Sequence, residues 1–84
     1  MPHTLSPAEF RADLLSPVAF HRVKALHALE LHGQALSDAR LAGQITAFTA
    51  RGVPYYALDD QHYSGWVQQA VSLWTQVIAL EAHA

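Results

Sequence analysis

A chain of 84 residues with a formal net charge of −2 and only 5 Lys plus Arg offers no electrostatic footprint for DNA or RNA, whose affinity comes mainly from neutralised phosphates. The lack of cysteine rules out a disulfide framework, a thiolate metal site and a cysteine nucleophile, and it points to a reducing, cytoplasmic setting. Neither a run of about eighteen apolar residues nor a secretory leader is present, so no membrane span and no export are expected.

At this size folding buries only about 60 to 65% of the surface the unfolded chain exposes, so the core of a single domain over residues 1–84 is thin. Charged residues make up 14% of the chain, against about 25% in an average soluble domain. Either uncharged polar groups cover the surface, or part of it is covered by something else.

Three helix starts share one grammar, a leucine, a serine and then an apolar fourth position. In Leu5-Ser6-Pro7-Ala8-Glu9-Phe10, Ser6 is the N-cap, Pro7 sits where no N–H is needed, Glu9 completes a capping box and Leu5 staples Phe10. The first helix is therefore short, about 7–15. Leu15-Ser16-Pro17 repeats the cap and steers the residue before proline away from helix, so a second helix is predicted over 17–32 with Gly33 as its left-handed C-cap. At 100° per residue its apolar face collects Ala19, Phe20, Val23, Leu26 and His27, with Leu31 at one flank. His27 on that face is read as a neutral core histidine, and Glu30 falls within the same broad face.

Leu36-Ser37-Asp38 opens a third helix over 38–51, capped by Ser37, with Asp38 favourable at the positive end of the dipole and Gly52 and Pro54 stopping it. Its large apolar side is Leu41, Ile45 and Phe48. A second side carries Ala39, Gly43 and Ala47, where another helix could approach, which would suit the middle of a bundle. Gly43 is expected to have a packing reason, because a mid-helix glycine costs about 0.8–1 kcal/mol relative to alanine.

After a connector, Asp59, Asp60 or Ser64 caps a last helix over 60–82, about 34 Å long at 1.5 Å per residue. Val67, Ala70, Val71, Trp74, Val77 and Ile78 form its stripe, widened by Trp66 and Leu73. Gln61 to Leu80 contains no Asp, Glu, Lys or Arg, and the opposite face is Gln68, Gln69, Ser72, Thr75, Gln76 and Ala79. Exposed helix faces are normally charged whereas interface centres are depleted of charge, so this helix is expected to be covered on more than one side by a second copy or another protein.

The chemistry-bearing residues concentrate at 54–66, where all 3 tyrosines, one tryptophan and two aspartates fall. Tyr and Trp give large rigid contact area at low entropic cost, which makes Tyr55, Tyr56, Tyr63 and Trp66 candidate anchors, with Asp59 and Asp60 orienting a partner. Gln69 and Gln76 extend the same candidate surface. For a metal, His62, Asp59 and Asp60 are the candidates, but a hard ion needs several converging oxygens and zinc three or four ligands. His27 or His32 would have to arrive through folding. His21 and His32 share a helix face but lie roughly 16 Å apart, too far for one ion; His3 and His83 near the termini are set aside. The tyrosines with His62 and Trp66 would line a haem pocket, although no attachment motif supports one, so no cofactor is expected. With no Gly-x-Ser-x-Gly elbow and no phosphate-cradling loop, no enzymatic activity is expected either.

Tyr55-Tyr56, Asp59-Asp60, Ser64-Gly65, Val67 and Trp74, with Ser37, Leu41, Ile45, Thr46 and Phe48 before them, faintly resemble the four-helix immunity proteins that inhibit colicin and pyocin nucleases. That resemblance implies a tyrosine pair meeting a toxin, but the family is strongly acidic across its binding helix, where Arg40 and uncharged residues stand here. Leu36 through Gly52-Val53-Pro54-Tyr55-Tyr56 is similar, with different spacing, to the small helical subunit of protocatechuate-type ring-cleaving dioxygenases. Neither family is adopted. The reading that stands is an all-α, small four-helix bundle that oligomerisation could complete. Its expected role is protein–protein interaction, as a self-associating domain, an inhibitor or an accessory subunit. A metal, haem or small-ligand binder around His62 is the rival, and a nuclease-immunity-like inhibitor a lesser one.

Overall fold

The computed structural model describes residues 4–83, and among them the chain forms helices α1 (Pro7–Leu15), α2 (Ala19–Gln34), α3 (Ala39–Thr49) and α4 (Asp60–Ala82) and no strand. The all-α bundle with a short first and a long last helix is therefore the fold. α1 packs on both α2 and α4, α2 packs on α3, and α3 and α4 are the least closely packed of the helix pairs that meet. The two residues of α1 that are fully buried, Phe10 and Leu14, stand one turn apart and key it between its neighbours.

The caps follow the sequence in part. Ser6 accepts from the Glu9 amide at 3.1 Å while the Glu9 carboxylate accepts from the Ser6 amide at 2.9 Å, the reciprocal pair that fixes the start of α1. Ser16, predicted to cap helix two, instead ends α1. Its hydroxyl accepts from the Val18 amide at 3.0 Å, a local turn that competes with helix and delays α2 to Ala19. At α3 the cap is Asp38 and not Ser37, with its carboxylate accepting from Leu41 at 3.0 Å. Of the alternatives at α4, Asp59 takes the role, accepting from His62 at 2.8 Å. Gly52, at φ 73°, is the left-handed residue beyond α3.

α2 corrects the sequence reading twice. Its buried face is Arg22, Ala25, Leu26, Leu29 and Gly33, while Phe20, Val23 and Leu31 are 69%, 59% and 50% exposed. His27, expected on the buried side, has a side chain 61% exposed that stands 3.7 Å from Glu30. The helix is apolar on two opposite sides, and the neighbours, not its own pattern, decide which one is core. Nor does Gly33 end the helix. It is buried within it, where a Cβ would stand 2.5 Å from Ile45 Cγ2 and 3.1 Å from Ile45 Cβ, so the missing side chain is what lets α2 approach α3.

Gly43 contrasts with it. Nothing lies within 4 Å of where its Cβ would be, and Ala39, Gly43 and Ala47 are all exposed, so α3 does not have the second packed side expected of a central helix. Opposite signs follow for one chemical change. Gly43→Ala is expected to stabilise by about 0.8–1 kcal/mol through helix propensity. Gly33→Ala gains the same propensity but overpacks against a β-branched neighbour with a stiff χ1, a cost of about 1–3 kcal/mol that exceeds the gain. Urea unfolding of the two variants measures this, and shifts of the same sign would contradict the close-approach role of Gly33.

On α4 the predicted stripe is the observed one: Val67, Ala70, Trp74 and Val77 are buried together with Tyr63, and Trp66, Val71, Leu73 and Ile78 pack against them. Leu41 and Ile45 of α3 join this core and Phe48 lies at its edge. The Gln68, Gln69, Ser72, Thr75, Gln76 and Ala79 side is exposed throughout. No helix is long and apolar enough to cross a membrane among the described residues.

Candidate functional site

The aromatic residues of 54–66 form one connected row. Phe48 stacks on Trp66 at 5.1 Å, Trp66 on Tyr63 at 5.6 Å, Tyr63 meets Tyr55 edge-on at 5.3 Å, and Tyr55 meets Tyr56 edge-on at 5.0 Å. Edge-on and stacked contacts at these separations are the favourable arrangements of ring quadrupoles. Burial is graded along the row. Tyr63 is in the core, Trp66 and Tyr55 are half-buried, and Tyr56 is 89% exposed. Of the four expected anchors, Tyr56 is thus open to a partner, Tyr55 and Trp66 are so on one side, and Tyr63 serves the core.

Tyr63 is fixed by its hydroxyl, which donates to the Leu14 carbonyl at 2.5 Å and so ties α4 to the end of α1. Burial pushes its pKa up, opposed by the charge of Arg22. Because the folded-state pKa lies above the unfolded one, the contribution is complete below about pH 10, the ordinary tyrosine value, and is lost as pH rises through the higher folded value. Alkaline unfolding should therefore release one late-ionising tyrosine together with the fold. In Tyr63→Phe the late-ionising group should vanish from an absorbance titration, and its persistence there would assign it elsewhere.

Arg22, invisible as a site residue in the sequence, organises the connector from beneath. It is 3% exposed. Its guanidinium lies 3.6 Å from the centre of the Tyr55 ring and 5.9 Å from that of Tyr56, and Nη1 donates to the Ser16 carbonyl at 2.7 Å. Among the described residues it has no carboxylate partner, so ring faces and a carbonyl carry its charge. The clamp holds Tyr55 in place and leaves Tyr56 projecting.

Asp59 and His62 pair with each other, Nδ1 standing 2.8 and 2.9 Å from the two carboxylate oxygens. The His62 amide, and then its side chain, lowers the Asp59 pKa. Asp60 is exposed in the first turn of α4. Both aspartates thus sit at a helix N-terminus, where carboxylates stabilise the dipole. Among the described residues no three His, Asp or Glu side chains come together as a metal would require. His27 and His32 are not brought to His62. His32 instead pairs through Nδ1 with the Glu81 carboxylate at 2.5 Å and sets its ring edge-on to Trp74 at 4.9 Å. His3 lies outside the described residues.

Gln69 and Gln76 are placed where the sequence could not show them, on the walls of an open groove between α3 and α4. One hollow of about 560 Å³ lies between Arg40, Leu41 and Gln44 on α3 and Gln76, Ala79 and Leu80 on α4. A second, of about 400 Å³, continues it past Gln44 to Phe48, Gln69, Ser72 and Leu73. Amides line its walls, apolar side chains its floor, and the charges at its border, Asp38 and Arg40, are at one end.

The surface that sequence reasoning missed is the outer side of α2. Phe20, Val23, His27 and Leu31 recur there at helical spacing and are all exposed. The available signal was excess, since α2 holds more apolar residues than one buried stripe needs, and the missing information was which stripe its neighbours would take. No family model matches this chain, and no curated protein or solved structure matches it either.

Proposed function

We propose that this chain is a small protein–protein interaction module whose working surface is the α3–α4 groove, with Tyr56 projecting from the connector as a further anchor. The observation that carries this reading is the uncharged flank of α4. Gln69, Ser72 and Gln76 border a groove that α3 leaves open, on a helix without a charged residue from Gln61 to Leu80. Charge depletion around an apolar floor characterises interface centres and not free solvent faces. An amphipathic helix of a partner is the element that fits, laying its apolar side on Leu41, Phe48 and Leu73 while its backbone-flanking polar groups meet the glutamines. Self-association, inhibition and an accessory-subunit role all use such a groove. The absence of cysteine fits work in the reducing cytoplasm.

The test is molar mass by light scattering together with the state of Gln44→Glu/Gln76→Glu. Both glutamines are exposed, so the variant should melt as the native chain does. Two carboxylates in the groove should release whatever the native protein retains, its own copies included. A native protein that stays monomeric, and binds the same partners as the double variant, would remove the reading.

A further inference from the structure

Few side chains in this protein take up an oxidising equivalent. With 0 Cys and 1 Met it nearly lacks the sulfur groups that ordinarily intercept oxidants, so one-electron oxidation falls on its 3 Tyr and 2 Trp. Trp74 is 1% exposed, and its ring neighbours are Phe10 and His32, neither of them a phenol. Trp66 is half-buried and heads an unbroken series of phenol rings, 5.6 Å to Tyr63, 5.3 Å on to Tyr55 and 5.0 Å on to Tyr56. At these separations the rings touch, which is close enough for an electron to pass from one π-system to the next. The series leads outward, from Tyr63 in the core to Tyr56 at 89% exposed.

The geometry points to a relay in which an electron vacancy formed on Trp66 passes along these rings and comes to rest on Tyr56, making Tyr56 the residue that a one-electron oxidant modifies. Proton release decides where the vacancy rests, because an oxidised phenol keeps it only if the O–H proton leaves as well. The Tyr63 hydroxyl donates to the Leu14 carbonyl at 2.5 Å, and a carbonyl accepts a hydrogen bond without being a base that can keep the proton. Tyr55 has the Arg22 guanidinium 3.6 Å from its ring centre, where a positive charge opposes taking an electron from that ring. Tyr56 lies farther from the same charge, at 5.9 Å, and its exposure lets water take the proton. Trp66 ends unchanged. The oxidant gains one electron, and Tyr56 loses one electron and its phenolic proton. The radical at Tyr56 then has two fates. A soluble thiol or ascorbate-type reductant returns a hydrogen atom and restores tyrosine, or two molecules meet and couple ortho carbon to ortho carbon, the displaced ring hydrogens moving to the oxygens to give dityrosine. In the first case the row protects the core, by moving damage from a half-buried indole to a surface phenol where it is repaired.

The experiment uses the full chain and the azide radical, generated by pulse radiolysis, which at neutral pH takes electrons from indole in preference to phenol. In the native protein the absorption of the indolyl radical should decay as that of the tyrosyl radical grows, at a rate independent of protein concentration. The covalent dimer that follows should carry its dityrosine at Tyr56 on peptide mapping. Tyr56→Phe changes an exposed side chain; it should leave the indolyl radical long-lived and abolish the covalent dimer. Trp66→Phe keeps a ring on Phe48 and should lose the concentration-independent growth of the tyrosyl radical. Melting curves that match the native chain establish that both variants are folded. A tyrosyl yield unchanged in Tyr56→Phe overturns the inference, since the vacancy then rests on Tyr55 or Tyr63. Growth unchanged in Trp66→Phe does so too, because Tyr56 is then oxidised from solution or from Trp74. A native indolyl radical that decays only by encounter between molecules shows that no relay exists.

Discussion

Trp74→Ala should bring this protein to the edge of folding. Trp74 is 1% exposed and stacks on Phe10 at 5.0 Å with the rings 10° from parallel. Its indole N–H donates to the Leu5 carbonyl at 2.9 Å. One side chain therefore joins the first turn before α1, α1 itself and α4, and the His32 ring closes its far edge. Truncating a buried aromatic to alanine costs about 3–5 kcal/mol. At roughly 0.05–0.15 kcal/mol per residue, a domain this small holds on the order of 4–13 kcal/mol in total, so the loss is about a quarter of the stability or more. Each kcal/mol shifts Tm by about 4–8 °C at this size, so the variant should melt at least about 12 °C lower or show no cooperative transition. Trp74→Phe separates the causes. It keeps a ring on Phe10 and loses the bond to Leu5, which is half-buried and can be hydrated, so it should cost about 1–3 kcal/mol. Circular dichroism melts of the pair decide the matter. A cooperative alanine variant within about 1 kcal/mol of the native chain would show that the Phe10–Trp74 stack is not where this core is held.

How far the sequence reaches differs between α4 and α2 for a physical reason. On α4 every large apolar residue from Tyr63 to Ile78 falls within one arc and the other side is Gln, Ser and Thr, so a single choice of buried face exists. On α2 the arc of Phe20, Val23 and Leu31 offers more apolar area than that of Ala25, Leu26 and Leu29, and burial by area alone would take the first. The second wins because of what stands opposite. Phe10, Leu14 and Ile45 leave room for small residues and for Gly33, whose closeness to Ile45 no phenylalanine would allow. Arg22 in the middle of the winning arc further disguised it, since its burial depends on Tyr55 arriving from a connector more than thirty residues later. The recognition surface divides in the same way. That Tyr55 and Tyr56 belong to one feature was legible from their adjacency, whereas the groove beside Gln69 and Gln76 depends on how loosely α3 lies on α4, which no local pattern states.

Arg22→Ala should produce the second large loss, and comparison with two other replacements identifies its source. Burying a guanidinium with no carboxylate partner costs several kcal/mol of desolvation. What offsets this is the bond to the Ser16 carbonyl at 2.7 Å and the Tyr55 ring at 3.6 Å. A charge-assisted hydrogen bond contributes about 1.5–3 kcal/mol and a desolvated cation over a ring about 2. Alanine removes both and the packed stem, while relieving the desolvation, so a net loss of about 2–4 kcal/mol is expected. Lysine keeps the charge but not the plane. Its ammonium cannot lie flat on Tyr55 while donating to Ser16, so it should cost about as much as alanine. Methionine is the discriminating case, because it refills the slot against Tyr55 without any buried charge and leaves only a half-buried carbonyl to water. It should cost about 1–2 kcal/mol, less than either. Denaturant unfolding ranks the three. If lysine were tolerated and methionine were not, the charge alone would be what matters, and the stacked plane that holds Tyr55 beneath the exposed Tyr56 would have to be abandoned as the reason arginine stands at this position.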